Sequence, residues 1–287
     1  MTILSVDALI PILTSLTRGG FLFHPSLDLP FGSAGIIILA AFIFCLGTCI
    51  GSFANACAMR LVRDEDFIYA ASRCRDCGRR LGWRENLPVL GFILQRGATA
   101  CCRKKLSPRY IIVEIAGGVL LLSYAATLPV SLALGFGVAL VFVAIACLTD
   151  LESLTLHPAL LTVFGGIGLC VAIASDFRLL LWHVGGAQAL AGIILSAGLP
   201  LLVNGAYRLV RGRNGFGEGD YWLLAAIGAW LGPVMGPAVF LVACWLGAAA
   251  GILMMITGRG SIMTKLPFGM FAGFVFILWP NILTRVF

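Results

Sequence analysis

The sequence predicts an all-α polytopic membrane protein of about eight transmembrane helices with a small cytoplasmic cysteine-containing insertion. Three observations carry that expectation. Of 287 residues, 60% are hydrophobic and only 11% charged, and the mean hydropathy is +1.01; soluble domains do not have this balance. Charge-free runs long enough to cross a bilayer recur along the chain. The Lys and Arg residues are segregated, with 12 of the 20 between residues 60 and 109.

Taken in order, residues 1–35 are mixed, with Gly19-Gly20 and Pro25, and read as an external or interfacial segment. They lack the basic region and small-residue cleavage site of a signal peptide, so no removal is expected. Residues 36–59 carry no charge and form the first transmembrane helix. Residues 60–109 are the insertion, and 110–287 supply the rest of the membrane core. Within that core, 110–149 hold one charge, Glu114, and are long enough for two helices parted at Pro129. The runs 158–175 and 187–207 give one helix each. The run 221–258 again holds two, parted between Gly232-Pro233 and Gly236-Pro237, and 267–284 closes the set.

Charge asymmetry orients these spans. With eight helices, 60–109, 206–220 and 258–266 fall on one face and carry 17 of the 20 basic residues. Arg18, Arg178 and Arg285 remain on the other. The positive-inside rule then places the insertion in the cytoplasm and both termini outside. This topology accounts for the net charge of +7, and no nucleic-acid partner is expected.

The insertion has too few apolar residues for its own core, and loops this small need a staple. It contains Cys74-Arg75-Asp76-Cys77 and, after 23 intervening residues, Cys101-Cys102. A cytoplasmic loop stays reduced, and the four thiols suit a structural, tetrahedral Zn²⁺. The alternative is a redox-prone loop with one half-formed knuckle, because vicinal Cys101 and Cys102 are awkward ligands for a single metal. Cys45, Cys49, Cys57, Cys147, Cys170 and Cys244 lie on apolar runs and read as small hydrophobes.

Two carboxylates stand out at span borders: Asp150, and Asp220 in Gly215-Phe216-Gly217-Glu218-Gly219-Asp220. Asp220 alone has a structural explanation as a helix N-cap. Asp150 ends an apolar run at a helix C-terminus, where the macrodipole disfavours anions. Both fall on the cytoplasmic side of the charge-derived topology. Gly217 and Gly219 permit close backbone approach, so this loop could lay a substrate peptide beside Asp220. Two neighbouring carboxylates that share a proton can activate water, which is aspartyl protease chemistry. Glu114 either pairs with Arg109 or lines a cavity, and His157 reads as an interfacial side chain. A different class, an ion-coupled secondary transporter using the two Asp residues, is disfavoured because transporter carboxylates sit near the midplane.

Together these blocks resemble the bacterial prepilin peptidases, or type IV leader peptidases, of the GxGD membrane aspartyl protease class. The resemblance runs from about residue 50 to 272. It rests on Gly51-Ser52-Phe53-Ala54-Asn55, Cys74-Arg75-Asp76-Cys77-Gly78, Glu85-Asn86-Leu87-Pro88, Leu106-Ser107-Pro108-Arg109-Tyr110 and Glu114. Gly217-Glu218-Gly219-Asp220, Gly228-Ala229-Trp230-Leu231-Gly232 and Pro267-Phe268-Gly269 continue it. It implies that Asp150 and Asp220 are the catalytic pair, with no cofactor required for proteolysis. The implied substrates are type IV prepilins or type II secretion pseudopilins, whose basic leader is cut at the cytoplasmic face of the bacterial inner membrane. It further implies N-methylation of the new N-terminus with S-adenosylmethionine, in which the 60–109 loop takes part and for which Gly97 matches a family loop glycine. Cys74, Cys77 and Cys102 match three loop cysteines, but Thr99 stands where a fourth is usual, leaving Cys101 as the substitute ligand. Trp222 and Met270 also depart from the family's usual Lys and Pro.

Overall fold

A computed structural model describes residues 32–65, 72–74, 76–177, 182, 184–259 and 264–286. Most of the expected external segment 1–35, including Arg18, lies outside the described residues, as do Arg75 and Arg178. The chain divides into two compact units, Met1–Val141 with Pro280–Phe287, and Phe142–Trp279.

Eight helices follow one another among the described residues: α1 (Gly32–Leu61), the short α2 (Leu90–Leu94), α3 (Arg109–Thr127), α4 (Val130–Ser153), α5 (Pro158–Asp176), α6 (Gly186–Arg211), α7 (Glu218–Ile256) and α8 (Phe268–Val286). Six are long and apolar enough to cross a membrane, and Phe268–Ile282 forms a shorter apolar helix. The protein is therefore a polytopic helical membrane protein. Both expected interruptions appear. Pro129 separates α3 from α4, and the 39-residue α7 breaks at Gly232, where φ is 77°. An unbroken helix of that length would run roughly 58 Å, about twice the hydrocarbon thickness. Counting the break, the apolar segments among the described residues number eight.

Local sequence sets the helix ends. Ser107 Oγ accepts the Arg109 amide at 3.3 Å as α3 begins. Pro158 opens α5 at a position where its missing N–H costs nothing. Gly212, at φ 70°, closes α6 in the left-handed conformation, with Arg208 and Arg211 in the last turn complementing the helix dipole.

In the first unit, α1 and α3 pack backbone to backbone through glycine. A Cβ at Gly47 would collide with the Gly117 carbonyl, and one at Gly51 would lie 2.5 Å from the Val113 carbonyl. In lipid there is no hydrophobic force between apolar helices, so such close approach supplies the attraction. Asn281 adds polar contacts, donating to Ser123 Oγ at 3.1 Å and accepting from Thr127 Oγ1 at 3.2 Å.

The second unit is built around the first half of α7, buried continuously from Ala226 to Gly232. Gly192 and Ser196 of α6 meet Gly228 and Gly236 of α7. On the other side Trp230 fills the core: its ring stacks on Phe164 of α5 with centroids 5.5 Å apart, and its indole N–H donates to the Phe164 carbonyl at 2.9 Å. The break after Trp230 disturbs the helical hydrogen-bond ladder, and Trp182 donates to the Trp230 carbonyl at 3.3 Å. Gly192→Leu should overpack this crossing, costing about 1–3 kcal/mol and visibly lowering the melting temperature in detergent. Gly198→Leu, where an added carbon meets nothing within 4 Å, should not.

Candidate active site and cysteine cluster

Both candidate aspartates belong to the second unit. Asp150 lies in the last turn of α4 and is 5% exposed. The unfavourable dipole of its own helix is answered by another helix: Asp150 Oδ2 accepts the Met270 amide at 2.9 Å, in the first turn of α8. Helix N-termini carry unsatisfied amides and a partial positive charge, so α8 is a suitable partner for a carboxylate. The block Pro267-Phe268-Gly269 thus acquires a positional role that its sequence did not disclose. A Cβ at Gly269 would sit 3.0 Å from Asp150 Oδ2, so glycine lets the chain approach the carboxylate.

Asp220 is not the N-cap residue that its sequence position allows. Gly217 holds that place and Asp220 is the third residue of α7, its Oδ2 accepting the Gly217 amide at 2.9 Å. Because glycine has no side chain, this is one half of a capping box, with the carboxylate reaching back to an orphan amide. Asp150 and Asp220 lie within electrostatic reach of each other. Leu156 lies between their supports: a Cβ at Gly219 would be 2.6 Å from Leu156 Cβ, and one at Gly269 would be 2.9 Å from Leu156 Cδ1. Neither Gly217 nor Gly219 has a positive φ, so Gly219 is there for close approach, not for backbone freedom. Leu156 was not singled out in the sequence, since a leucine in an apolar chain carries no signal. His157 is the N-cap residue of α5, and its buried Nδ1 has no hydrogen-bond partner among the described residues.

In the first unit, the insertion brings Cys74, Cys77, Cys101 and Cys102 together, with all four Sγ atoms within 4.8 Å of one another. Two turns of the same design hold them. In the first, Arg73 bridges Arg80, the Cys74 amide donates to the Arg79 carbonyl at 2.8 Å, and the Gly78 amide donates to the Cys74 carbonyl at 3.0 Å. In the second, Ala98 bridges Lys105. There the Thr99 amide donates to the Lys104 carbonyl at 2.8 Å, and the Arg103 amide to the Thr99 carbonyl at 2.9 Å. The left-handed positions also correspond, Gly78 at φ 71° and Arg103 at φ 58°. The second turn is therefore a complete knuckle in which Thr99 occupies the place of Cys74.

Thr99 Oγ1 lies 3.1 Å from Cys102 Sγ, while Cys101 supplies the fourth thiol. The Sγ separations are 3.6 Å for Cys74–Cys102, 3.4 Å for Cys77–Cys101 and 3.8 Å for the vicinal pair. Four sulfurs around one tetrahedral Zn²⁺ at about 2.3 Å lie about 3.8 Å apart, so the thiols fit a zinc site and the adjacency of Cys101 and Cys102 is no obstacle. The amides of Cys77 and Asp76 bring the Cys74 thiol down to about 6. At Cys77 the pull of the Arg79 amide is outweighed by Cys101 and Cys74, and the thiol is pushed up to about 11. Such a cluster does not ionise fully unless a cation offsets the repulsion.

Gly97 sits just before the second knuckle at φ +70°, with the Phe92 ring 3.4 Å from where its Cβ would be. Glu114, on α3, is buried at 7% exposure and accepts the Val89 amide on Oε2 at 2.7 Å.

Comparison with known proteins gives a consistent pattern. Residues 45–128 match the model of the bacterial peptidase A24 N-terminal domain, and residues 137–252 that of the type IV leader peptidase family. A Burkholderia pseudomallei protein named prepilin leader peptidase/N-methyltransferase is 37% identical over 202 residues, covering 70% of this chain and 63% of that protein. The match thus spans less than two thirds of that relative's length. Proteins of the same name from Klebsiella pneumoniae and Pseudomonas putida are 33% and 31% identical, over 71% and 75% of this chain and 90% and 74% of theirs. No solved structure matches the chain.

The packing at the two loop glycines separates their roles. Gly219→Ala is expected to lower the melting temperature of the protein by displacing Leu156. Gly217→Ala, whose added carbon has its nearest neighbour at 3.6 Å, should change it little.

Proposed function

Since this chain belongs to the type IV leader peptidase family, we propose that it is a membrane aspartyl endopeptidase that removes the basic leader of type IV prepilins or type II secretion pseudopilins. The observation that supports this reading is that Asp150 and Asp220 each accept a backbone amide while Gly269 beside Asp150 and Gly219 beside Asp220 both lie against Leu156. The pair shares one proton. The ionised partner takes a proton from water as the oxygen attacks the scissile carbonyl, while the protonated partner hydrogen-bonds the carbonyl oxygen. The tetrahedral adduct then collapses, the C–N bond breaks and the departing amine takes up a proton. No cofactor enters this reaction. Gly217 and Gly219 form the loop beside which the substrate backbone lies.

The membrane is the inner membrane of a bacterium. The segregation of 17 of the 20 basic residues in 60–109, 206–220 and 258–266 supports an active site that faces the cytoplasm under the positive-inside rule. In this assignment 60–109 is a zinc-stapled cytoplasmic loop and 110–287 the protease core, with Cys74, Cys77, Cys101 and Cys102 as metal ligands. The same protein N-methylates the processed N-terminus, as the double name of its relatives supports. When bound, S-adenosylmethionine would supply the methyl group for that amine. A transporter role has no support from the relatives.

Asp150→Asn and Asp220→Asn should each reduce leader removal at least a thousandfold, measured with purified protein and precursor in detergent, without preventing membrane insertion. Residual cleavage above a few per cent in either variant would exclude the shared-proton mechanism. Elemental analysis should find about one zinc per chain. Cys101→Ser should weaken retention against a chelator at least tenfold, and adding Thr99→Cys should restore it, because Thr99 occupies the corresponding knuckle position.

A further inference from the structure

The insertion has few apolar residues, yet it turns several of them outward. Among its described residues, Leu90, Ile93 and Leu94 are each more than half exposed, and Trp83 is 70% exposed. The first three stand on α2 at positions i, i+3 and i+4, which is one face of a helix. The opposite side of α2 is covered by the protein. A Cβ at Gly91 would lie 2.6 Å from the Glu85 carbonyl oxygen. Phe92 lines a cavity of about 720 Å³ between the end of α1, the two knuckles and the start of α3. We propose that the face formed by Leu90, Ile93 and Leu94 inserts into the headgroup–acyl boundary of the bilayer that holds the spans, and so anchors the insertion to the membrane surface. The proposal goes beyond both enzymatic readings and depends on neither; it requires only the membrane helices.

Three observations carry it. The first is the level at which α2 stands. Val89, directly before it, donates its amide to Glu114 Oε2 at 2.7 Å, and Glu114 is the sixth residue of α3. With its 19 residues, α3 rises roughly 28 Å, about the hydrocarbon thickness of a bilayer, so every turn is needed to cross. A glutamate side chain on a helix leans back toward the N-terminus. Val89 therefore lies level with the first turns of α3, where that helix enters the membrane. Ile112, in the same turns, is itself exposed.

The second is the support that presents this face. Val89 has φ 62°, a conformation rare for a β-branched residue, and the Glu114 carboxylate holds its amide there. At the other end of α2, the Gln95 side-chain amide donates to the Glu85 carbonyl at 3.2 Å and to the Gly91 carbonyl at 3.0 Å. The outward face is thus tied at both ends.

The third is the chemistry around it. Arg84 and Arg96 flank α2 in sequence, and both are exposed. The Arg84 guanidinium lies 5.1 Å from the Trp83 ring centroid. An apolar helix face with tryptophan and arginine nearby suits a membrane interface, where the ring sits among headgroups and the cations meet anionic phosphates. A protein partner fits less well. A stable protein interface takes roughly 800 Å² from each side, more than these few side chains offer.

The test uses the full chain in nanodiscs containing phosphatidylglycerol and a phospholipid with a photoactivatable diazirine on its acyl chain. After irradiation and trypsin digestion, the peptide Glu85–Arg96 should carry lipid label, with peptides of the spans as internal standard. Labelled spans with a bare Glu85–Arg96 peptide would overturn the proposal, and this wild-type measurement decides by itself if a variant is unstable. Leu90→Gln, Ile93→Gln and Leu94→Gln combined should lower the label in that peptide at least fivefold, at unchanged labelling of the spans and unchanged melting temperature. Undiminished label in the folded variant would also overturn it. So would a wild-type dimer that lacks label there and that the triple variant dissociates, because the face would then belong to a second copy. Cleavage and methylation enter none of these readouts, so failure of the enzymatic reading and failure of this one are distinguishable.

Discussion

A carboxylate at the end of an apolar helix is desolvated and faces the negative pole of its own helix dipole. Asp150 persists there because the first turn of α8 turns an amide toward it. Much of the second unit serves this contact. Gly269 allows the approach, Leu156 is held between Gly269 and Gly219, and Gly219 precedes Asp220. Asp220 in turn is held by an amide at the start of α7. Two helix N-termini, α7 and α8, therefore deliver one backbone donor to each carboxylate. The proposed hydrolytic pair depends on amide positions that no side-chain substitution can remove directly.

The membrane setting explains why glycine recurs at the crossings. Lipid offers no hydrophobic gain from burying one apolar helix against another, so attraction comes from atoms in close contact. The α1–α3 crossing uses Gly47, Gly51 and Gly117, and the α6–α7 crossing uses Gly192 and Gly228. The break in α7 follows the same rule. Irregular backbone at membrane depth has to be satisfied by protein, and the Trp182 indole donates to the Trp230 carbonyl just before the break.

The insertion follows a different physics. Without a core of its own it is organised by two turns with matching hydrogen bonds, which gather four thiols into a tetrahedron-sized cluster. The substitution of Thr99 in the family pattern is absorbed by a neighbour: Cys101 supplies the sulfur, and the threonine hydroxyl contacts Cys102. The cavity beside the cluster uses residues of these turns, Cys74 and Thr99 among them, as part of its wall.

Hydropathy and charge alone were enough to expect a polytopic helical protein, its interruptions at Pro129 and Gly232, the insertion and the two aspartates. Each is a local property: an apolar run is long enough or it is not, and a proline or glycine interrupts it wherever it stands. The contacts that make a site were not legible. Asp220 allows a helix cap by its position and is the third helical residue, Leu156 carries no signal, and Cys101 next to Cys102 is an awkward pair for one metal on spacing alone. In each case the deciding partner is remote in sequence: Met270 for Asp150, Gly219 and Gly269 for Leu156, Cys77 for Cys101. Composition and spacing describe what a segment can do in its own surroundings, and only the packed chain supplies the amide, the gap or the second sulfur that it meets.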